Sequence, residues 1–229
     1  MNWFSSFLSS SIGQKILMSL TGIFLMLFLV IHLIGNFQLL ASDQGKSFNI
    51  YTYFMTHNPM IVLISYVLYA SILLHSIQGS LLWLKNRKAK GPSYAVKSTT
   101  GTNLASRYMM HLGLIIFIFL IIHLWQFWLQ MKLGNLPMLT YPESSEHQYK
   151  DLYTLVQAAY SNIYYVLFYV VCMIFLGFHL AHGFASAFQS LGMNHKKYTP
   201  IIRFIGLIYS ILIPIGFAIL PIYMYLVRS

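Results

Sequence analysis

Charge is scarce in this sequence: only 8% of its 229 residues are Asp, Glu, Lys or Arg, against about 25% in soluble domains. Acids number four, Asp43, Glu143, Glu146 and Asp151, and none stands inside a long apolar run, which argues against a buried proton-carrying carboxylate. The single cysteine, Cys172, excludes an internal disulfide and any cysteine-held cluster, and inside an apolar run it reads as a small filler. There is no G-x-G-x-x-G fingerprint for a dinucleotide, and no polar linker divides the chain. Residues 1–229 therefore read as one domain. Period-two alternation is absent, and backbone in lipid must satisfy its own hydrogen bonds, so helices are the only economical reading.

What is present is hydrophobicity, at 58% of residues. Uncharged runs cover residues 16–40, 60–84, 108–131, 163–188 and 204–227, each as long as the roughly 20 residues that span a bilayer. The first run, with Lys15 before it and Leu39-Leu40-Ala41 after it, exceeds the roughly 7 to 15 residues of a signal-peptide core and counts as a true span. The expected fold is an all-α membrane protein, a bundle of five transmembrane helices. Ten of the fourteen basic residues, Lys15, Lys85, Arg87, Lys88, Lys90, Lys97, Arg107, Lys196, Lys197 and Arg203, fall on one side. The positive-inside rule makes that side cytoplasmic, with the N-terminus inside and the C-terminus outside. A net charge of +10 crowded at membrane edges suits anionic lipid or a docked partner better than nucleic acid.

Residues 1–15, with Trp3, Phe4 and Phe7, read as an interfacial segment, and Asn58-Pro59 as a helix N-cap followed by proline at the first helical position. The outer loop from Lys132 to Asn162, with Tyr141, Tyr149, Tyr153 and Tyr160, is expected to lie along the headgroups as an aromatic belt. Pro214 and Pro221 are expected to bend the fifth span.

Nine histidines remain. His57, His147 and His195 fall in loops or at helix mouths, and His111 at a helix start, where solvation or snorkelling accounts for them. The deep ones, His32, His75, His123 and His179, are the seventeenth, sixteenth, sixteenth and seventeenth residues of their runs. Consecutive spans run in opposite directions, so His32 and His123 share an outer level while His75 and His179 share an inner one. Facing imidazoles across a bundle are what a bis-histidine haem requires. The run lengths and the helix rise separate the two levels by very roughly 10 Å. Gly22, Gly35, Gly79, Gly113, Gly177 and Gly183 would admit a flat macrocycle, although glycine also serves ordinary helix packing. His182 lies one turn nearer the cytoplasm than His179 and about 60° around the helix. It reads as a hydrogen-bond donor to a propionate or to a neighbouring helix.

The stretches SIGQKILMSLTG (11–22), VIHLIGN (30–36), LHSIQGSLLWLKNRKA (74–89), IIHLWQF (121–127) and GFHLAHGFASAFQSLG (177–192), in this order along nearly the whole chain, resemble the single-polypeptide, five-helix, di-haem cytochrome b subunit of succinate dehydrogenase and fumarate reductase. The resemblance implies two haem b groups, a distal one held by His32 and His123 and a proximal one held by His75 and His179. It sets Ser19 near a proximal propionate, with Arg107 a further candidate by charge and position. It also implies a FAD-bearing flavoprotein and an iron–sulfur subunit docked on the cytoplasmic side, a membrane quinone, expected to be menaquinone, and residence in a bacterial cytoplasmic membrane. Succinate and fumarate chemistry then belongs to the partner flavoprotein, and this chain serves as anchor, haem carrier and part of a quinone site of unassigned residues.

One departure stands out. Some fumarate reductases of this type carry a glutamate two residues before the fourth ligand, where this chain has Gly177. The alternatives are another di-haem membrane cytochrome b, of ascorbate-reducing or hydrogenase-linked type, a histidine-lined transporter, and a haem-free anchor. A transporter would show acidic partners, broken helices and internal repeats, none of which the sequence contains.

Overall fold

The computed structural model describes residues 3–89, 104–142 and 144–228. Lys90 and Lys97, two of the basic residues used to assign sidedness, lie outside them, as does Glu143. Five helices are long and apolar enough to cross a membrane, over Ser11–Leu40, Pro59–Lys88, Tyr108–Leu133, Ile163–Ser190 and Thr199–Val227. The chain is thus a multi-pass membrane protein.

In chain order the helices are α1 (Trp3–Ser9), α2 (Ser11–Asn36), α3 (Lys46–His57), α4 (Pro59–Ala89), α5 (Leu104–His123), α6 (Gln130–Leu133), α7 (Leu152–Tyr160), α8 (Ile163–Ser190) and α9 (Thr199–Tyr223). Four helices overrun the uncharged runs past basic residues: Lys15, Arg87, Arg107 and Arg203 all fall within helix ends, where a long side chain can reach the interface without breaking the helix. Residues 3–9 of the expected interfacial segment form α1. Ser10 then caps α2, its hydroxyl accepting from Gly13 N at 3.0 Å. Asn58 caps α4 as expected, its side-chain oxygen accepting from Met60 N at 3.0 Å and from Ile61 N at 3.3 Å. At the far end of α8 the N–H of Gly192 donates to Gln189 and that of Met193 to Phe188. This double bond, with Gly192 at φ +84°, is a Schellman stop that turns the chain toward α9.

α8 packs against α2, α5 and α9, and α2 against α4. Met26 and Leu33 of α2, Met173, Leu176 and Leu180 of α8, and Ile213 and Leu220 of α9 share one buried cluster. Cys172 is buried in it too, the small filler that its setting implied. The outward faces remain apolar, as Leu27 and Ile31 on α2 and Phe204 and Leu212 on α9 illustrate; this is stable only where the surrounding solvent is hydrocarbon. Apolar burial gives little drive for helix association in lipid, so close packing and hydrogen bonds matter more. The Tyr209 hydroxyl donates to the Met26 carbonyl at 2.6 Å, tying α9 to α2. Pro214 and Pro221 both lie inside α9, buried. Pro214 lacks an N–H and so leaves the Ser210 carbonyl without its helical donor. Gly177 of α8 rests against that carbonyl, where a Cβ would come to 3.1 Å.

The loops at one end differ from expectation. The loop from Lys132 to Asn162 does not lie flat as a belt. It forms α6, an antiparallel hairpin of β1 (Met138–Tyr141) and β2 (Ser144–Lys150), and α7. The hairpin is the one departure from an all-helical chain among the described residues. With α3 these elements build a cap in which Phe48, Leu152, Tyr153, Val156 and Tyr160 are buried together with Leu39 and Met224. Tyr149 is buried as well. The tyrosines face one another because Asn49, 1% exposed, pins three elements at once. Its amide nitrogen donates to the Tyr141 hydroxyl and to Asp151, and its oxygen accepts from Leu152 N and Tyr153 N. Gly45, at φ +84°, opens α3 where a Cβ would collide with the Tyr153 ring. Beside it, burial works against ionisation of Asp43, but hydrogen bonds from Ser47 and Gly45 outweigh burial and hold this carboxyl below its usual value.

Candidate functional site

The four deep histidines project from α2, α4, α5 and α8 into two meetings. The rings of His32 and His123 are 5.8 Å apart at an interplanar angle of 88°, and those of His75 and His179 are 6.4 Å apart at 68°. The outer pair sits in an aromatic nest. Phe28 stacks on His32 at 5.1 Å and Phe217 tilts against it at 5.6 Å, while Phe119 and Phe127 flank His123.

The two levels repeat along three helices. On α2, Gly22 faces His75 and His32 follows ten residues later. On α5, Gly113 faces His179 and His123 follows ten residues later. On α8, Tyr169 touches His123 and His179 follows ten residues later. Ten residues of helix rise about 15 Å. The offset of roughly 10 Å inferred from run lengths is therefore too small, because charges, which set the run ends, do not mark equal depths.

Side-chain chemistry favours the Nε2 atom as the free donor. His75 Nδ1 is 3.2 Å from the Thr21 hydroxyl, which itself donates to the Leu17 carbonyl, so its oxygen is available to accept from the imidazole. His123 Nδ1 is 3.1 Å from the Tyr169 hydroxyl. The Asn36 side-chain nitrogen can only donate; it bonds the His32 carbonyl at 2.7 Å and lies 3.4 Å from His32 Nδ1, so it does not favour the same tautomer there. Such outer partners orient a ligating imidazole. His179 Nδ1 is buried without a protein partner, as is Gln78 Nε2 one turn from His75.

Two metal–nitrogen bonds of about 2 Å each, with ~1 Å from each nitrogen to its ring centre, call for ring centres roughly 6 Å apart. Both pairs meet that requirement. Among the described residues no three His, Cys, Asp or Glu gather as a site for a bare ion. Two imidazoles on opposite sides suit a metal that brings its own planar ligand frame. Gly22 and Gly113 let the inner pair lie against helix backbone: a Cβ on Gly22 would come to 3.3 Å of the His75 ring, and one on Gly113 to 3.7 Å of His179. The residues present fit a haem at each level.

The other expected site residues are placed differently. His182 Nε2 lies 3.2 Å from the Ser186 hydroxyl, and its ring lines a pocket of about 480 Å³ with Gln189, Asn194, Thr199 and Arg203. It thus serves the junction of α8 and α9. Ser19 is buried, but its hydroxyl donates to the Lys15 carbonyl at 2.9 Å. The side chain of Arg107 lies outside the described residues. His111, His57, His147 and His195 are all exposed, and none joins the two pairs.

Sequence reasoning missed Thr21, Tyr169 and a π-helical turn over Leu124–Leu129, which begins directly after His123. Such turns re-aim side chains and often mark functional positions. The ten-residue echo along α2, α5 and α8 was the available signal, and only the known helix contacts give it meaning. No protein-family model, curated protein or solved structure matches this chain.

Proposed function

We propose that this chain is the membrane-anchor cytochrome b of a succinate:quinone oxidoreductase, working in succinate oxidation or fumarate reduction. His32 and His123 would hold a distal haem b, and His75 and His179 a proximal one. Each haem, when bound, supplies a one-electron carrier at its level. The protein's own residues do the positioning. Thr21 and Tyr169 orient two of the imidazoles, Gly22 and Gly113 keep side chains out of the inner level, and the apolar helix faces exclude water. The observation that carries the reading is the pair of imidazole meetings, repeated ten residues apart on three helices.

The charge pattern supports a cytoplasmic N-terminus and an external C-terminus in a bacterial inner membrane, with the basic face available to an iron–sulfur subunit and, through it, a FAD-bearing flavoprotein. A quinone, with menaquinone expected, is the membrane-side partner. A histidine-lined transporter is the weaker reading, because the imidazole partners are hydroxyls, an amide and aromatic rings, with no carboxylate among them.

A pyridine haemochrome assay on the purified, fully loaded chain is expected to give two b-type haems per chain, and the spectrum of the native protein is expected to show both as low-spin. Co-purification of a flavoprotein distinguishes this family from other di-haem cytochromes. One haem per chain, or none, overturns the assignment.

A further inference from the structure

The two imidazole pairs differ in what stands behind them. Behind His123 is a buried group of tyrosines where α7 meets α8. The Tyr169 hydroxyl is 3.1 Å from His123 Nδ1, and the Tyr165 hydroxyl donates to it at 3.4 Å. Tyr160 crosses the Tyr169 ring edge-on at 5.3 Å. Tyr169 is 4% exposed and Tyr160 7%. Ring packing alone does not call for the Tyr169 hydroxyl, since a phenylalanine would keep the contacts with Phe119 and Phe127. A hydroxyl costs free energy in an apolar site unless it is hydrogen-bonded. Its placement against one ring nitrogen therefore calls for a role. In the inner pair the Thr21 hydroxyl stands 3.2 Å from His75 Nδ1, while His179 Nδ1 has no protein partner.

We infer that Tyr169 is the positioning residue for His123 and sets how strongly that imidazole donates to a metal. Its oxygen accepts the Nδ1 proton, so the lone pair sits on Nε2 and the ring cannot turn. Tyr165 donates to the same oxygen. An imidazole whose Nδ1–H is engaged is the stronger electron donor, and such partners tune both ligand basicity and redox potential. The outer metal is thereby held in its oxidised form more firmly than it would be without the hydroxyl. This inference rests on the di-haem reading.

The test is a redox titration of the purified protein, followed optically and by low-temperature spin resonance, with wild type beside Tyr169→Phe. His32→Ala and His75→Ala identify which signal belongs to which level. Wild type is expected to show two haems. Tyr169→Phe should keep both, raise the midpoint of the His32/His123 haem alone and shift its low-spin signal. Tyr165→Phe should move the same haem by less, and Tyr169→Gln, which restores an acceptor oxygen, should return it toward wild type. Loss of only the outer haem in Tyr169→Phe, with recovery in Tyr169→Gln, also supports a positioning role. Two haems at wild-type potentials in Tyr169→Phe, or a shift confined to the His75/His179 haem, overturns the inference while leaving the di-haem reading intact. A wild-type chain without haem overturns both.

Discussion

An imidazole inside a membrane helix is expensive unless its nitrogens are engaged, so each buried histidine calls for a partner at both ends of its ring. His179 and His182, three residues apart on α8, are placed differently, and His179 Nδ1 is left without a protein partner. His179 meets His75, whereas His182 pairs with Ser186 on its own helix. If the inner pair holds a haem as proposed, replacing His179 by alanine would leave His75 alone to hold it. That variant is expected to lose the inner haem or convert it to high spin, while the outer haem keeps its spectrum. His182→Ala should retain both haems and at most move a midpoint. Optical and spin-resonance spectra of the two variants decide, and the reverse outcome would assign the inner level to His182, about 4.5 Å further along the helix.

Among the elements, the cap stands out because one polar side chain holds it together. Asn49 of α3 satisfies the first two N–H groups of α7, and Asp151 closes the same helix start by accepting from Thr154 N at 3.1 Å. Asn49→Ala leaves two buried donors unpaired at about 1–3 kcal/mol each. The cap should therefore loosen by roughly 2–4 kcal/mol after partial relaxation. Amide hydrogen exchange at Leu152 and Tyr153 is the direct measure, with faster exchange there expected and unchanged protection in the middle of α8. Tyr160 and Tyr169 share the buried cluster of this cap, so the variant should also disturb the outer haem before the inner one. Gly177 is explained at this scale too. It admits the Ser210 carbonyl that Pro214 leaves free, and a side chain there would press on that carbonyl, which must give by a few tenths of an ångström.

For the whole molecule, charge is arranged by face. Lys85 donates to Gln14 at 2.8 Å and Arg87 lies over the Trp83 ring at 5.2 Å, while Arg87 and Lys88 remain exposed at the end of α4. Lys196, Lys197 and Arg203 cluster about the α8–α9 turn, and in sequence no acid lies between residues 44 and 142 or after 151. If these basic residues dock the soluble subunits proposed above, Arg87→Glu with Lys88→Glu is expected to reduce their co-purification severalfold at low salt. Wild-type assembly should itself weaken as salt screens the attraction. Unchanged recovery of the partners would show that docking lies elsewhere.

Hydropathy and spacing in the sequence alone determined five spans, the end of the chain carrying each basic cluster, and which histidines share a depth, because depth along a straight helix is a matter of counting residues. Counting does not set how a helix is rotated or how far apart two levels sit. Only the tertiary structure turned His179 toward His75 while leaving His182 beside Ser186, and only it set the levels ten residues apart on α2, α5 and α8. The cap was equally beyond a linear reading. Tyrosines near an interface suit a lipid belt and a folded core alike. The choice was made by Asn49, whose partners lie about a hundred residues away in the chain, a distance over which local patterns carry no information about contact.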